Sequence, residues 1–157
     1  MKVRLIKQCG TMELRGRSRL LRVMELAQEL AGLGGETGTL NVVLTRADAM
    51  AEMNEQFLQH HGRTDVLTFD LRGDEDFAVA DDDCVAEVYV CPDVAVEFSA
   101  KFGTTPSYEL TLYIVHGMLH LAGEDDLEDE ARASMRLAEK HVMDGLKARF
   151  SVEGFIC

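Results

Sequence analysis

Residues 116–126 read HGMLHLAGEDD, and the spacing of their polar side chains suggests a local structure. His116 and His120 are four residues apart, so on a helix of about 3.6 residues per turn they lie on one face. Gly123 follows, and glycine readily takes the left-handed conformation that ends a helix. After that stop the chain can fold back and bring Asp126 beneath the two imidazoles. The stretch therefore predicts a helix that carries a histidine pair and ends at Gly123.

The same register occurs in the zinc-protease signature H-E-x-x-H-x-x-G-x-x-H, with aspartate here in place of the last histidine. A carboxylate oxygen also binds zinc, at roughly 2.0–2.2 Å. We predict one zinc ion per chain, bound by His116, His120 and Asp126. Three protein ligands leave a fourth coordination position open, which is typical of catalytic zinc. Two packed core histidines beside a solvated acidic turn remain the alternative interpretation.

Gly117 follows the first histidine at the position where the zinc proteases carry a glutamate that acts as general base. Ordinary zinc peptidase chemistry is therefore disfavoured, and we assign no catalytic side chain.

The composition is that of a globular protein: 157 residues, 46% of them hydrophobic, predict a single domain over 1–157 with a buried core. No apolar run reaches the roughly 18 residues of a membrane span, and the basic start lacks the apolar run of a signal peptide. Four scattered cysteines without a C-x-x-C pair favour reduced thiols and a cytoplasmic protein. The formal charge of −12 disfavours broad electrostatic binding of nucleic acid.

Hydrophobic periodicity and the positions of glycine and proline predict the remaining elements. Their order, β-α-β-α-β-β-α-α-α, predicts an α+β fold in which a small mixed sheet is backed by helices. Residues 72–83, RGDEDFAVADDD, have no period and predict an acidic loop. On the last helix we expect Met135, Leu137, Ala138 and Val142 to face inward. The predicted strands are 3–7, 39–46, 64–71 and 84–91, and the predicted helices are 13–32, 47–58, 92–102, 106–122 and 128–149.

With these residues in view, the chain resembles the YbeY family of bacterial ribosomal-RNA maturation factors over nearly its whole length. Residues 116–126 are similar to the family's H-G-x-L-H-L-x-G-x-D-H, and TDVLTF at 64–69 is similar to its T-D-V-L-S-F. Glu109 and Leu110 stand where the family carries Glu-Leu before its metal helix. The resemblance implies a zinc-dependent, single-strand-specific endoribonuclease that acts on ribosomal RNA and the ribosome, in 16S rRNA 3′-end maturation and ribosome quality control.

The chain departs from the family's pattern at two positions. The family's third zinc ligand is histidine, where this chain has Asp126. The family also carries an arginine in an N-x-x-Y-R-G stretch, and the matching position here is Leu58. Arg63 is our candidate for a substrate-binding cation in its place, and a plain surface charge is the equal alternative. Glu109 lies two helical turns, about 10 Å, before His116, so we expect a supporting role rather than a ligand.

Two other functions stay open beside the zinc ribonuclease. One is a metalloprotease-like hydrolase, which the metal register allows and Gly117 disfavours. The other is a non-catalytic ribosome-assembly factor in which zinc is structural. Cleavage of RNA but not of peptides distinguishes the ribonuclease from both.

Overall fold

The computed structural model describes residues 1–10, 12–58, 65–73 and 78–157. Within these ranges the elements follow one another in the predicted order. The described residues form four strands and five helices: β1 (Lys2–Lys7), α1 (Arg17–Leu30), β2 (Thr39–Leu44), α2 (Ala47–Leu58), β3 (Val66–Asp70), β4 (Cys84–Val90), α3 (Pro92–Phe102), α4 (Pro106–Leu121) and α5 (Asp129–Lys147).

The strands form one mixed sheet in the order β1-β2-β4-β3. β2 runs parallel to β1 and β4, whereas β3 pairs with β4 in the antiparallel sense and forms an edge of the sheet. All six residues of β2 are buried, as is usual for an interior parallel strand. The α+β fold with a small mixed sheet and packed helices is confirmed.

Helix α4 occupies the centre of the molecule and contacts β3, β4, α1, α3 and α5. Its first turn is capped by Thr105, whose Oγ1 accepts a hydrogen bond from the Tyr108 backbone N–H at 3.2 Å. Pro106 occupies the first helical turn, where its missing N–H costs nothing. An apolar flank of this helix is buried: Leu110, Tyr113, Ile114, Met118 and Leu121.

Gly117 lies on the side of α4 that faces the sheet. A Cβ atom at this position would lie 2.7 Å from Val88 Cγ1 and 3.1 Å from Thr68 Oγ1. Carbon atoms in contact are normally about 3.5–4.0 Å apart. Glycine therefore lets α4 lie directly on β3 and β4, and a glutamate here would enter the core. Glycine at position 117 is thus explained by the close packing of α4 on the sheet, and not only by the absence of a general base.

Helix α1 begins later than predicted, at Arg17 rather than near residue 13. Gly16 adopts a left-handed conformation with φ of 60°, which interrupts the helical backbone. Just before it, the Arg15 backbone N–H donates to the Phe155 carbonyl at 2.9 Å. The C-terminal segment thus holds residues that the hydrophobic pattern had placed in the helix.

The prediction that Leu137 faces inward is wrong, because this residue is 71% exposed. Met135 and Val142 are buried on α5, and Ala138 is half-buried. Residues 135 and 137 are separated by about 200° around a helix, so they cannot share one narrow buried stripe.

The acidic segment is irregular wherever the structure describes it. Residues 72–73 and 78–83 form neither helix nor strand, and Asp82 pairs with Lys2 at 3.1 Å. No helix among the described residues is both long enough and apolar enough to cross a membrane.

Candidate metal centre

Three ligand-type atoms converge where α4 ends. His116 Nε2 lies 3.0 Å from His120 Nε2, and the Asp126 carboxylate oxygens lie 3.3 Å and 3.7 Å from these two nitrogens. Ligands at about 2.0–2.1 Å from a tetrahedral ion are about 3.3–3.4 Å apart. The helix supplies the two imidazoles and the following loop supplies the carboxylate, so the spacing suits one small cation.

The other ring nitrogen of each histidine is already engaged. His120 Nδ1 lies 3.0 Å from the Glu124 backbone carbonyl, which can only accept a hydrogen bond, so Nδ1 carries the proton. His116 Nδ1 lies 3.3 Å from Glu139 Oε1 on α5, and donates to it. Carboxylate and carbonyl partners of this kind orient metal-binding imidazoles and select their tautomer. Both Nε2 atoms are therefore left as lone-pair donors.

This arrangement tests whether a metal fits the residues present. Two Nε2 lone pairs and a carboxylate, all within 4.8 Å of one another, face each other with no hydrogen between them when both rings are neutral. Such a set of acceptors is repulsive until a cation joins it. Two imidazoles and one carboxylate also match the donor types that Zn²⁺ binds in catalytic sites. The residues fit the ion.

The charged groups around His116 also favour a cation at this position. Burial lowers the pKa of the imidazole, but the carboxylates of Glu139, Asp126 and Asp65 outweigh it and leave the pKa above its ordinary value. The surroundings thus favour a positive charge at this position.

The loop after α4 explains why Asp126, rather than its neighbours, joins the histidines. Gly123 has φ of 103°, and the Glu124 N–H donates to the Leu119 carbonyl at 2.9 Å, which closes the helix end. Asp125 Oδ1 accepts from the Leu127 N–H at 2.7 Å, and Glu124 Oε2 accepts from Ser134 Oγ at 3.1 Å. Both of these carboxylates are engaged in shaping the loop.

Two clefts meet at the donor set, and His116, Asp126 and Asp65 line both of them. The first cleft, of about 560 Å³, lies between α3, α4 and α5 and is largely apolar. The second, of about 540 Å³, follows the edge strand β3 and includes Thr68 and Asp70. A chain molecule can therefore reach the donor atoms from two directions.

The other residues singled out from the sequence have different outcomes. Arg63 lies outside the described residues, and the side chain of Leu58 is likewise not described. Glu109 is 4% exposed and accepts a hydrogen bond from Thr104 Oγ1 at 2.6 Å, so it supports the start of α4 rather than the donor set. Glu139 was not expected at the site, because nothing in the pattern of α5 distinguishes it from a solvated glutamate.

Comparison with known proteins adds independent information. The sequence model of the family described as Endoribonuclease YbeY matches residues 7–147. The chain is 41% identical over 101 residues to an endoribonuclease YbeY of Thermotoga petrophila, covering 64% of this chain and 61% of that protein. It is 37% identical over 109 residues to the one from Salinibacter ruber, covering 68% and 69%.

A solved structure is similar over almost the whole chain. The solution structure of the protein TM1509 from Thermotoga maritima matches with a TM-score of 0.58 and 27% identity, over 97% of this chain and 96% of the other. The sequence alignment to the Thermotoga petrophila protein spans about three fifths of that protein's length. The family match, by contrast, includes every strand from β2 onward and all of α1 to α5. The chain belongs to the YbeY family.

Proposed function

We propose that the protein is a zinc-dependent endoribonuclease that cuts single-stranded RNA, with His116, His120 and Asp126 as the zinc ligands. The observation that carries the proposal is the convergence of two Nε2 lone pairs and one carboxylate at the junction of two clefts. Membership of a family described as Endoribonuclease YbeY supplies the substrate class.

The protein's own residues perform positioning in this proposal. Glu139 and the Glu124 carbonyl hold the two imidazoles with Nε2 toward the site. When bound, zinc supplies a Lewis acid that polarises a phosphoryl oxygen of the substrate. The two clefts orient the strand on either side of the bond to be cut. The substrate's 2′-hydroxyl oxygen bonds to the adjacent phosphorus as the P–O5′ bond breaks; water takes up the hydroxyl proton, and the leaving 5′-oxygen receives a proton from water. No side-chain base at position 117 is needed, and the contact with Val88 leaves no room for one.

The cellular role follows from the family. We propose that the protein acts in the cytoplasm on ribosomal RNA, in 16S rRNA 3′-end maturation and ribosome quality control. Asp126 adds a negative charge that a histidine ligand lacks, so it should hold Zn²⁺ firmly while making the ion a weaker acid. We therefore expect slower cleavage than an otherwise equal site with three histidines.

The proposal is tested with zinc-loaded protein and four substrates: a labelled single-stranded RNA, its duplex, the matching DNA and casein. We expect cleavage of the single-stranded RNA only. His116→Ala should abolish it, whereas His141→Ala, a change at an exposed histidine of α5, should leave it intact.

The other outcomes contradict the proposal in distinct ways. RNA cleavage that persists in zinc-free His116→Ala protein would come from a contaminant. Cleavage of DNA as fast as RNA would exclude the 2′-hydroxyl as nucleophile, and cleavage of casein would favour a protease-like hydrolase. If the zinc-loaded parent leaves every substrate intact, the protein is better described as a non-catalytic assembly factor.

A further inference from the structure

The first of the two clefts, called the base cleft below, has features that the metal centre does not use. Its walls include Phe98, Phe102, Leu112 and Met135, and its inner end reaches His116 and Asp126. Its volume of about 560 Å³ is within the range of roughly 300–1,000 Å³ that is usual for small-ligand sites. An apolar slot of this size beside a hydrolytic centre suits a flat, weakly polar group.

Two polar side chains lie at the bottom of the base cleft. Tyr113 is 5% exposed, and its hydroxyl makes no hydrogen bond of ordinary geometry to any described residue. Glu109 is 4% exposed; its Oε1 accepts a hydrogen bond from the Thr104 hydroxyl at 2.6 Å, and its carboxylate also lies close to the Tyr113 hydroxyl. Buried polar groups are normally paired, and a carboxylate can accept about four hydrogen bonds. The Glu109 carboxylate therefore has acceptor positions left, and the Tyr113 hydroxyl beside it lacks a hydrogen bond of ordinary geometry.

The Tyr113 hydroxyl keeps its proton at neutral pH. Burial, followed by the negative charges of Glu109 and Asp65 and by the hydrogen-bonding influence of the adjacent Glu109 carboxylate, raises the pKa of this group well above its ordinary value. The floor thus offers one O–H donor from Tyr113 and two acceptor atoms from the Glu109 carboxylate.

The rim of the base cleft has the opposite character. Phe102 is 63% exposed and stacks on Phe98, with ring centroids 5.5 Å apart. Arg136 is exposed and lines the cleft, and it forms no ion pair with any described residue. In a chain of net charge −12, an exposed cation at the mouth of an acidic-floored cleft is well placed for an anion outside it.

Taken together with the proposed function, on which this inference rests, we propose that the base cleft binds one unpaired guanine of the RNA substrate. The guanine edge presents one acceptor, O6, and two donors, N1–H and N2–H₂, which complement Tyr113 and Glu109. The guanine ring stacks on Phe102. The phosphate of the same nucleotide stays at the rim near Arg136, because the acidic floor repels it. Uracil presents a second acceptor toward the carboxylate and is rejected.

Strand specificity follows from the same contacts. The edge that would contact Tyr113 and Glu109 is the edge used in base pairing, so a paired guanine cannot enter. Bases recognised in this way are read in single strands, where they can turn out of the stack. The base cleft thus gives the expected preference for single-stranded RNA a physical cause.

Binding is measured apart from cleavage with fluorescent 2′-O-methyl RNA tetramers, which lack the nucleophilic hydroxyl. We compare an all-uridine tetramer with tetramers that carry one guanosine or one inosine, using zinc-loaded protein. A tetramer with guanosine should bind about tenfold more tightly than one with uridine, since a good pair of base contacts is worth that much. Inosine, which lacks the 2-amino group, should lose most of this gain.

Variants identify the residues that read the base. Glu109→Gln should reduce the preference for guanosine over inosine to about twofold or less, and Tyr113→Phe should weaken guanosine binding about threefold. Phe102→Ala should weaken binding of the guanosine tetramer about fivefold or more and leave the all-uridine tetramer unchanged, whereas Leu137→Ala, at a similarly exposed residue outside the cleft, should change neither. Zinc content and melting temperature of each variant report whether the fold and metal site persist.

The result separates this inference from the proposed function. Equal binding of guanosine and uridine tetramers, or a guanosine preference unchanged in both Glu109→Gln and Tyr113→Phe, overturns the base cleft even if RNA is cleaved. A guanosine preference that these variants abolish, in a protein that cleaves no RNA, keeps the base cleft and rejects the ribonuclease.

Discussion

Replacing Gly117 with alanine tests whether glycine is present for packing or for chemistry. The new Cβ would lie 2.7 Å from Val88 Cγ1, and Val88 is fully buried on a strand, where its β-branched side chain has little freedom to rotate. Overpacking of this kind costs about 1–3 kcal/mol, whereas alanine gains about 1 kcal/mol over glycine inside a helix. We expect Gly117→Ala to lower the free energy of unfolding by about 1 kcal/mol.

The sign should reverse when Val88 is shortened. Val88→Ala alone removes two buried methyl groups and costs about 2 kcal/mol. In that background the contacts with the two Val88 methyl groups no longer exist, Thr68 Oγ1 at 3.1 Å is the remaining close neighbour, and the gain in helix propensity dominates. Gly117→Ala should then raise stability by about 1 kcal/mol, giving a coupling of about 2 kcal/mol between the two positions.

Thermal and urea unfolding of the parent, both single variants and the double variant would measure this cycle. A chelator should be present throughout, so that metal binding does not add to the stability. For a domain of this size, 1 kcal/mol corresponds to about 2–4 °C in melting temperature. A higher melting temperature for Gly117→Ala in the parent would refute the close approach of α4 to β4. Equal losses in both backgrounds would show that Val88 is not the obstacle.

Three further predictions concern the metal centre and its surroundings. Asp126→Ala should lose most of its zinc in elemental analysis, whereas Asp126→His should keep one ion per chain; full zinc in the alanine variant would make Asp126 dispensable. Glu139→Gln should weaken zinc binding about 10–100-fold in a chelator competition, because His116 loses its charged acceptor, and an unchanged affinity would contradict that role. Arg72 holds the pKa of the Asp70 carboxyl below its ordinary value, so this pair stabilises the fold above the unfolded pKa and the contribution disappears as pH falls through the folded pKa. Asp70→Asn should therefore reduce the loss of unfolding free energy between neutral and acid pH, as measured by urea unfolding. The change should be less than about 1 kcal/mol, because the Asp70 side chain is half exposed. An unchanged dependence on acid pH would show that the pair does not contribute.

Local patterns in the sequence were sufficient for the order of the elements and for the end of the central helix. Gly123 was expected to stop α4, and its positive φ and the backbone bonds of the following residues do so. The beginning of α1 was misplaced, because the backbone bond between Arg15 and Phe155 joins positions far apart in the chain. Leu137 was misplaced because an apolar residue was assumed to be buried, although its angular position on α5 excludes it.

Some residues of the candidate site could be predicted from local spacing, and others are revealed only by contacts between distant parts of the chain. His116, His120 and Asp126 share one short stretch, so their spacing alone brought them to attention. Glu139 contacts His116 from another helix, and only the packing of α5 against α4 reveals it. The packing role of Gly117 was hidden from the sequence for the same reason: it depends on Val88, which lies on a strand 29 positions earlier in the chain.

The ligand-type atoms come from two kinds of support, and this makes the site adjustable by protein engineering. The histidines stand on a helix whose other faces are core, so moving them would disturb the fold. Asp126 stands on the loop after Gly123, with its side chain 39% exposed, and can be exchanged at little structural cost. A cysteine there would favour softer ions, whereas the present carboxylate favours harder ones. Residue 126 is therefore the position at which a substitution can change the metal preference without altering the rest of the fold.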